Sequence, residues 1–285
     1  MKIKIQVGVN KKSDLEYFIS KGADELYCGI THVPSHCYRS RTFDSVEDVI
    51  NAKDKARTKK IKFFFVANEV ESNNFYETVS VIEYLVRNKI DGIIIRDIGL
   101  LKYLKEKKIN TYFILSSLSL CFNIEALKFY SLLGIKRIAI PEQITPDEAK
   151  PLIQNPFGID TEVFITAREY CRVLNGFCYL TQFTDKCICR QEFQAGNRNF
   201  FIPAPKPQEH YKNLYRFLKY GTRIIKVGRH PQDFYGKFIL SEVLALKEIL
   251  MKNNLTEDDF LKKIMKIHKK NSKVLEKCVK LYKEQ

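Results

Sequence analysis

The sequence predicts a parallel α/β barrel of eight strands, a (β/α)8 or TIM-barrel-like arrangement, and two patterns carry that expectation. Short β-branched or aromatic runs alternate with loops and amphipathic helical stretches through most of the chain, and eight such runs can be counted. A barrel of this kind uses about 250 residues, which fits the span to Asn253 of a 285-residue chain. An open doubly wound sheet is the competing fold. The Gly-x-Gly-x-x-Gly fingerprint that would support it after the first strand is absent.

The strands are expected at Ile3 to Val9, Glu25 to Gly29, Lys62 to Asn68, Gly92 to Asp97, Thr111 to Ser116, Arg137 to Pro141, Glu162 to Thr166 and Arg223 to Gly228. Between the first two, Ser13 followed by Asp14 and Glu16 marks a helix start, and Lys21-Gly22 marks its end. Thr145, Pro146, Asp147 and Glu148 form a second start, an N-cap followed by proline and two acids. Two segments break the rhythm. Residues 167–206 form a long connection that holds four cysteines and ends in Pro203, Pro205 and Pro207, and long loops in compact domains are commonly functional. From Thr256, which with Asp259 resembles a capping box, a Lys-rich helix runs to the end of the chain. Its apolar side is Phe260, Leu261, Ile264, Met265 and Ile267, and its basic side carries Lys262, Lys263, Lys266, Lys269, Lys270 and Lys273. A solvated cap packed on the barrel and an RNA or lipid contact are the two readings of that helix. The division expected is a barrel domain over 1–252 and a basic helical extension over 253–285.

Composition narrows the class. Hydrophobic residues at 45% and charged residues at 28% exclude general disorder. No apolar run approaches the ~20 residues of a membrane span, and the start lacks a signal-peptide pattern, so a cytoplasmic location is expected. The formal net charge is +15 and the pI about 9.3. Such a field concentrates anions, whether nucleic acid, phosphate-bearing metabolites or acidic lipid surfaces. Lysine scattered over helix faces as a compositional habit is the alternative.

Eight cysteines without a secretory signal do not read as a disulfide framework. Cys171, Cys178, Cys187 and Cys189 fall within nineteen residues of a loop. Thiolate is a soft ligand, suited to zinc, copper(I) and iron-sulfur clusters. Six, eight and one residues separate these four, which is not the paired spacing of a zinc ribbon; it suits a loop wrapped around a cubane cluster better, with zinc as the alternative. Cys28, Cys121 and Cys278 read instead as small buried hydrophobes, Cys28 in a strand and the other two in helical contexts. The five histidines form no close pair, which argues against a histidine metal site.

Several segments together resemble the collagenase-like peptidase U-32 family. They are Glu162-Val163-Phe164-Ile165 followed by Cys171, then Asn175-Gly176-Phe177-Cys178-Tyr179-Leu180, and later Cys189-Arg190. Earlier come Lys21-Gly22-Ala23-Asp24-Glu25-Leu26-Tyr27-Cys28-Gly29 and Asp91-Gly92-Ile93-Ile94-Ile95-Arg96-Asp97-Ile98-Gly99-Leu100. Gly134-Ile135-Lys136-Arg137 and Lys226-Val227-Gly228-Arg229 match two further elements. Each is weak alone; their order is specific, and the resemblance covers most of the chain.

The resemblance implies a barrel-like fold and, as in several members, a 4Fe-4S cluster on four cysteines. It further implies oxygen-independent hydroxylation of tRNA or ribosomal RNA bases or of the ubiquinone ring, with prephenate as a small-molecule donor in some cases and a second family member as a possible partner. Residues 190–229 hold no cysteine where the family often places its fourth. Cys37, which resembles a ligand position of a quinone-hydroxylation member, is the substitute, so Cys37, Cys171, Cys178, Cys187 and Cys189 compete for four iron sites. Val227 stands where the family has an acid before Gly-Arg. The family name also raises a peptidase reading, although neither a Ser/His/Asp or Cys/His arrangement nor a zinc-protease helix motif is evident; a non-catalytic partner subunit is the third reading.

In such a barrel the active site lies at the carboxyl ends of the strands. Asn68, Asp97, Ser116, Ser117, Glu142, Arg168 and Arg229 are expected there. An arginine at that rim can hold a carboxylate or phosphate through paired hydrogen bonds, and Asp or Glu can move protons. For Asp97 and Glu142 ordinary helix capping is an equal alternative.

Overall fold

The computed structural model describes residues 3–33, 42–165, 192–200, 206–229, 233–251 and 255–283, except the side chains of 233–235 and 277–283. Eight parallel strands close into a barrel in the order β1-β10-β7-β6-β5-β4-β3-β2. They are β1 (Lys4–Gly8), β2 (Glu25–Cys28), β3 (Lys62–Ala67), β4 (Gly92–Ile95), β5 (Phe113–Leu115), β6 (Ile135–Ala139), β7 (Asp160–Ile165) and β10 (Ile224–Val227). The helices are α1 (Lys12–Ser20), α2 (Val46–Arg57), α3 (Phe75–Arg87), α4 (Ile98–Glu106), α5 (Ile124–Leu132), α6 (Pro146–Ile153), α7 (Pro207–Tyr220), α8 (Asp233–Met251) and α9 (Glu257–Lys283). Among the described residues no helix is long and apolar enough to cross a membrane.

Strand alternation sorts the core into two layers. Leu26 and Cys28, Phe63 and Phe65, Ile93 and Ile95, and Phe113 and Leu115 belong to the large cluster shared with the helices. Their alternates Tyr27, Phe64, Val66, Ile94 and Ile114, with Tyr112 against them, form a separate cluster inside the barrel. Gly92 is needed there, because a Cβ would come within 2.3 Å of the Tyr112 carbonyl and 3.1 Å of the Phe64 ring.

Several sequence expectations shift in detail. The strands stop at Ala67, Ile95 and Leu115, which leaves Asn68, Asp97 and Ser116 just past their ends. Helix α1 starts at Lys12 after an uncapped Lys11, not at a Ser13 cap. Asp14 is buried and pairs with Lys237 of α8 at 2.7 Å, a long-range partner that a local pattern does not reveal. The helix ends as expected at Lys21, with Gly22 at φ 88°. Thr145 forms a full capping box with Glu148 at the start of α6. Cys121 lies in the connection between the 3-10 turn Ser117–Ser119 and α5 rather than in a helix, buried behind Leu120 at φ 53°. The long connection after β7 contains an antiparallel hairpin, β8 (Phe193–Ala195) and β9 (Arg198–Phe200). Its turn is Gly196-Asn197 with Gly196 at φ 59°, a pairing that favours tight hairpins, and Phe193 stacks on Phe200.

Helix α9 packs on both α7 and α8. Its start is capped as the sequence suggests, since Thr256 Oγ1 accepts from the Asp259 N–H at 3.2 Å. Phe260 and Ile264 are fully buried and Leu261 nearly so, while Met265 and Ile267 are partly buried against the same core.

Candidate functional site

Every barrel strand runs the same way, so the residues after their carboxyl ends share one rim. Asn10 follows β1, Asn68 follows β3, Arg96 and Asp97 follow β4, Ser116 follows β5, Glu142 follows β6 and Arg229 follows β10. The side chains divide by what holds them. Asp97 caps α4 by accepting from the Leu100 N–H at 2.6 Å. Ser116 Oγ accepts from the Leu118 N–H at 3.4 Å, and its backbone N–H ties it to the Ile95 carbonyl at 2.8 Å. Ser117 opens the 3-10 turn. Asn68 is buried, and its Oδ1 has no hydrogen-bond donor among the described residues. Glu142 Oε2 is sequestered from solvent, and burial pushes its carboxyl up to about 7. At that value the group can take or give a proton near neutral pH.

Arg229 is positioned by glycine and tyrosine. A Cβ at Gly8 would lie 2.4 Å from Arg229 Cγ and 2.9 Å from the Tyr27 phenol, so only glycine lets both side chains cross β1. Tyr27 donates its hydroxyl to the Val227 carbonyl at 3.3 Å, and the Arg229 guanidinium lies 5.8 Å from its ring centroid. A guanidinium held against an aromatic ring is kept in place at the rim, where its charge suits a carboxylate or phosphate.

Below this mouth lies an ionic network that the sequence reading missed. Arg137 donates from Nη1 to Glu25 Oε2 at 2.6 Å and from Nη2 to Glu25 Oε1 at 3.1 Å, and Nη1 also reaches Glu162 Oε2 at 3.2 Å. Lys226 Nζ binds Glu162 Oε1 at 2.6 Å, and Gln6 Nε2 donates to Glu25 Oε2 at 3.2 Å. All five residues are buried. The cations also lie against rings: Arg137 is 5.4 Å from the Phe64 centroid, and Lys226 is 4.6 Å from that of Tyr27. Burial works to raise the Glu25 carboxyl, but the hydrogen bonds and charge of Arg137 outweigh it and hold the group below its usual value. Burial depresses the Lys226 ammonium despite Glu162. The available signal was a charged residue inside each of four strand runs, in a fold whose strands have no solvent-facing side.

Cys37, Cys171, Cys178, Cys187, Cys189 and Arg168 lie outside the described residues, as does the side chain of Cys278. Cys28 and Cys121 are free and buried. Burial raises both thiols, that of Cys121 to about 11, which makes them inert packing residues. In sequence, Cys37 follows β2 and Cys171, Cys178, Cys187 and Cys189 follow β7, and both strands end at the mouth. Soft thiolates fit an iron-sulfur cluster by their chemistry.

Comparison with known proteins places these features. A family-wide profile for Peptidase family U32 matches residues 10–280. The tRNA hydroxylation protein P of Haemophilus influenzae is 26% identical over 176 residues, 61% of this chain and 37% of that protein, so the chain spans well under half the length of this curated relative. Among solved structures, the U32 peptidase Mk0906 superposes with a TM-score of 0.53 at 10% identity, over 81% of this chain and 94% of the other, a likeness of fold.

Proposed function

Because the chain belongs to peptidase family U32, we propose that it acts in RNA modification, as an oxygen-independent hydroxylation protein for a tRNA base, in a reducing, cytoplasmic setting. The observation that carries this reading is the similarity over 176 residues to a tRNA hydroxylation protein. The mouth is consistent with it. An arginine held against a tyrosine ring suits an anionic group, and a desolvated glutamic acid near neutrality suits proton transfer.

In this proposal four of Cys37, Cys171, Cys178, Cys187 and Cys189 hold a 4Fe-4S cluster, which when bound supplies electron transfer or activation of a substrate oxygen. The chain's own residues do the rest. Arg229 orients the anionic end of the RNA or of a small donor such as prephenate. Glu142 exchanges a proton at its carboxyl. The aromatic and aliphatic layer of Tyr27, Val66, Ile94 and Ile114 closes the mouth from beneath.

The test is tRNA from cells with and without the gene, digested and weighed nucleoside by nucleoside. A nucleoside heavier by one oxygen only when the gene is present is the expected result, and Arg229→Ala and Cys178→Ser abolish it. Identical nucleoside profiles would overturn the reading. Iron and sulfide analysis of anaerobically purified protein tests the cluster separately, with zinc and no iron as the contrary result.

A further inference from the structure

We infer that the lysine face of α9 is the surface on which this protein receives an RNA backbone, an inference that rests on the RNA reading above. Lys262, Lys263, Lys266, Lys269, Lys270 and Lys273 are all exposed. At 3.6 residues per turn they fall within an arc of about 120°, over a length of about 16 Å. The arc lies opposite the face that buries Phe260, Ile264, His268 and Leu275. These six lysines make no ion pair among the described residues, and no acid occurs between Phe260 and Leu275.

Several exposed lysines elsewhere are paired with acids. Lys12 pairs with Asp48, Lys55 with Glu16, Lys102 with Glu106 and Lys128 with Glu125. On α9 the lysines instead stand at i, i+3 and i, i+4 spacings, where like charges repel and weaken the helix. A polyanion laid along the stripe relieves that repulsion and releases its counterions.

The helix is held in a fixed place to do this. Glu257 pairs with Arg216, Phe260 packs on Tyr215, and His268 meets Tyr211, so α9 ascends as α7 descends. His268 Nδ1 contacts Glu242 Oε1 of α8 at 2.7 Å and the Tyr211 hydroxyl at 3.1 Å, and Tyr211 donates to Glu242. Tyr211 lies in the N-terminal half of α7, the end that a (β/α) barrel places toward the carboxyl ends of the strands. The stripe therefore climbs toward the mouth. Lys269, Lys270 and Lys273 stand at or beyond the level of Tyr211, where a backbone bound along α9 is led to the rim that carries Arg229.

The experiment is fluorescence anisotropy of labelled tRNA with the full chain over a salt series. The variants are Lys262→Gln/Lys266→Gln/Lys269→Gln/Lys273→Gln and a control, Lys107→Gln/Lys108→Gln. Circular dichroism of each variant checks that the helices remain. The α9 variant is expected to bind at least about tenfold more weakly, and the slope of log affinity against log salt falls by about three; the control matches wild type. If wild type binds tRNA and the α9 variant binds equally with an unchanged slope, this inference is overturned while the RNA reading stands. If wild type ignores tRNA but binds phosphatidylserine vesicles through the same lysines, the RNA assignment of the stripe falls together with the RNA reading.

Discussion

Two carboxylates inside one barrel meet opposite fates. Glu25, on the floor, is buried, yet it is held ionised, because Arg137 supplies two parallel hydrogen bonds and a full charge. Glu142, at the mouth, feels desolvation as the cause of its shift and is pushed up to about 7. At Glu25 the hydrogen bonds and charge of Arg137 outweigh burial, whereas at Glu142 burial sets the direction. The floor is thus a completed electrostatic structure, whereas the mouth holds a group poised to change its protonation.

The largest expected effect comes from breaking the floor. Arg137→Met leaves Glu25 and part of Glu162 without their main cation, and removing one partner of a buried pair costs about 3–5 kcal/mol. Equilibrium unfolding in urea measures it. Replacing both members, Arg137→Met with Glu25→Leu, should recover much of the loss, since apolar side chains of similar volume often substitute for a buried pair. A single variant as stable as wild type would show that the floor is not the electrostatic unit described.

The contrast also predicts two pH dependences of opposite sign. Glu25 has a folded pKa below its unfolded value, so the unfolded chain binds more protons in that window. The stability Glu25 contributes is present above about 4.5 and is lost as pH falls through its depressed value. Glu142 has a folded pKa above its unfolded one. Between 4.5 and about 7 the native state binds more protons, and stability falls as pH rises. Unfolding free energy measured from pH 3 to 8 should lose its acid-side decline in Glu25→Gln and its decline toward neutrality in Glu142→Gln. If Glu142→Gln leaves the slope between pH 4.5 and 7 unchanged, Glu142 is not the desolvated group proposed.

This contrast marks how far the sequence reaches. The eight strand runs, the capping box at Thr145 and the buried side of α9 are legible, because helix caps and hydrophobic periodicity are local signals. The ionic floor is not. Glu25 and Arg137 are 112 positions apart, and a charged residue in an alternating strand ordinarily reads as its wet face. Closure of the ring turns that face into an interior, and only the completed barrel shows which charges meet. Gly8 is hidden for a similar reason, since its constraint comes from Tyr27 of β2 and from Arg229, just past β10, crossing β1. At the rim, residue types pointed to a mouth rich in polar groups, but could not separate side chains engaged in capping from those left to chemistry.

The smallest expected effect addresses that separation. Asp97 accepts from the Leu100 N–H at 2.6 Å and so satisfies an otherwise open donor of α4, a role worth about 1 kcal/mol. Asp97→Asn keeps an acceptor and should lose only a few tenths of that value, whereas Asp97→Ala loses most of it. If capping is the whole role, tRNA modification by both variants, assayed below their melting transitions, equals that of wild type. A modification defect in Asp97→Asn at near-native stability would move Asp97 from the helix to the chemistry. It would then stand with Glu142 as an acid of the mouth, and the contrast between the completed floor and the poised Glu142 would have to be redrawn.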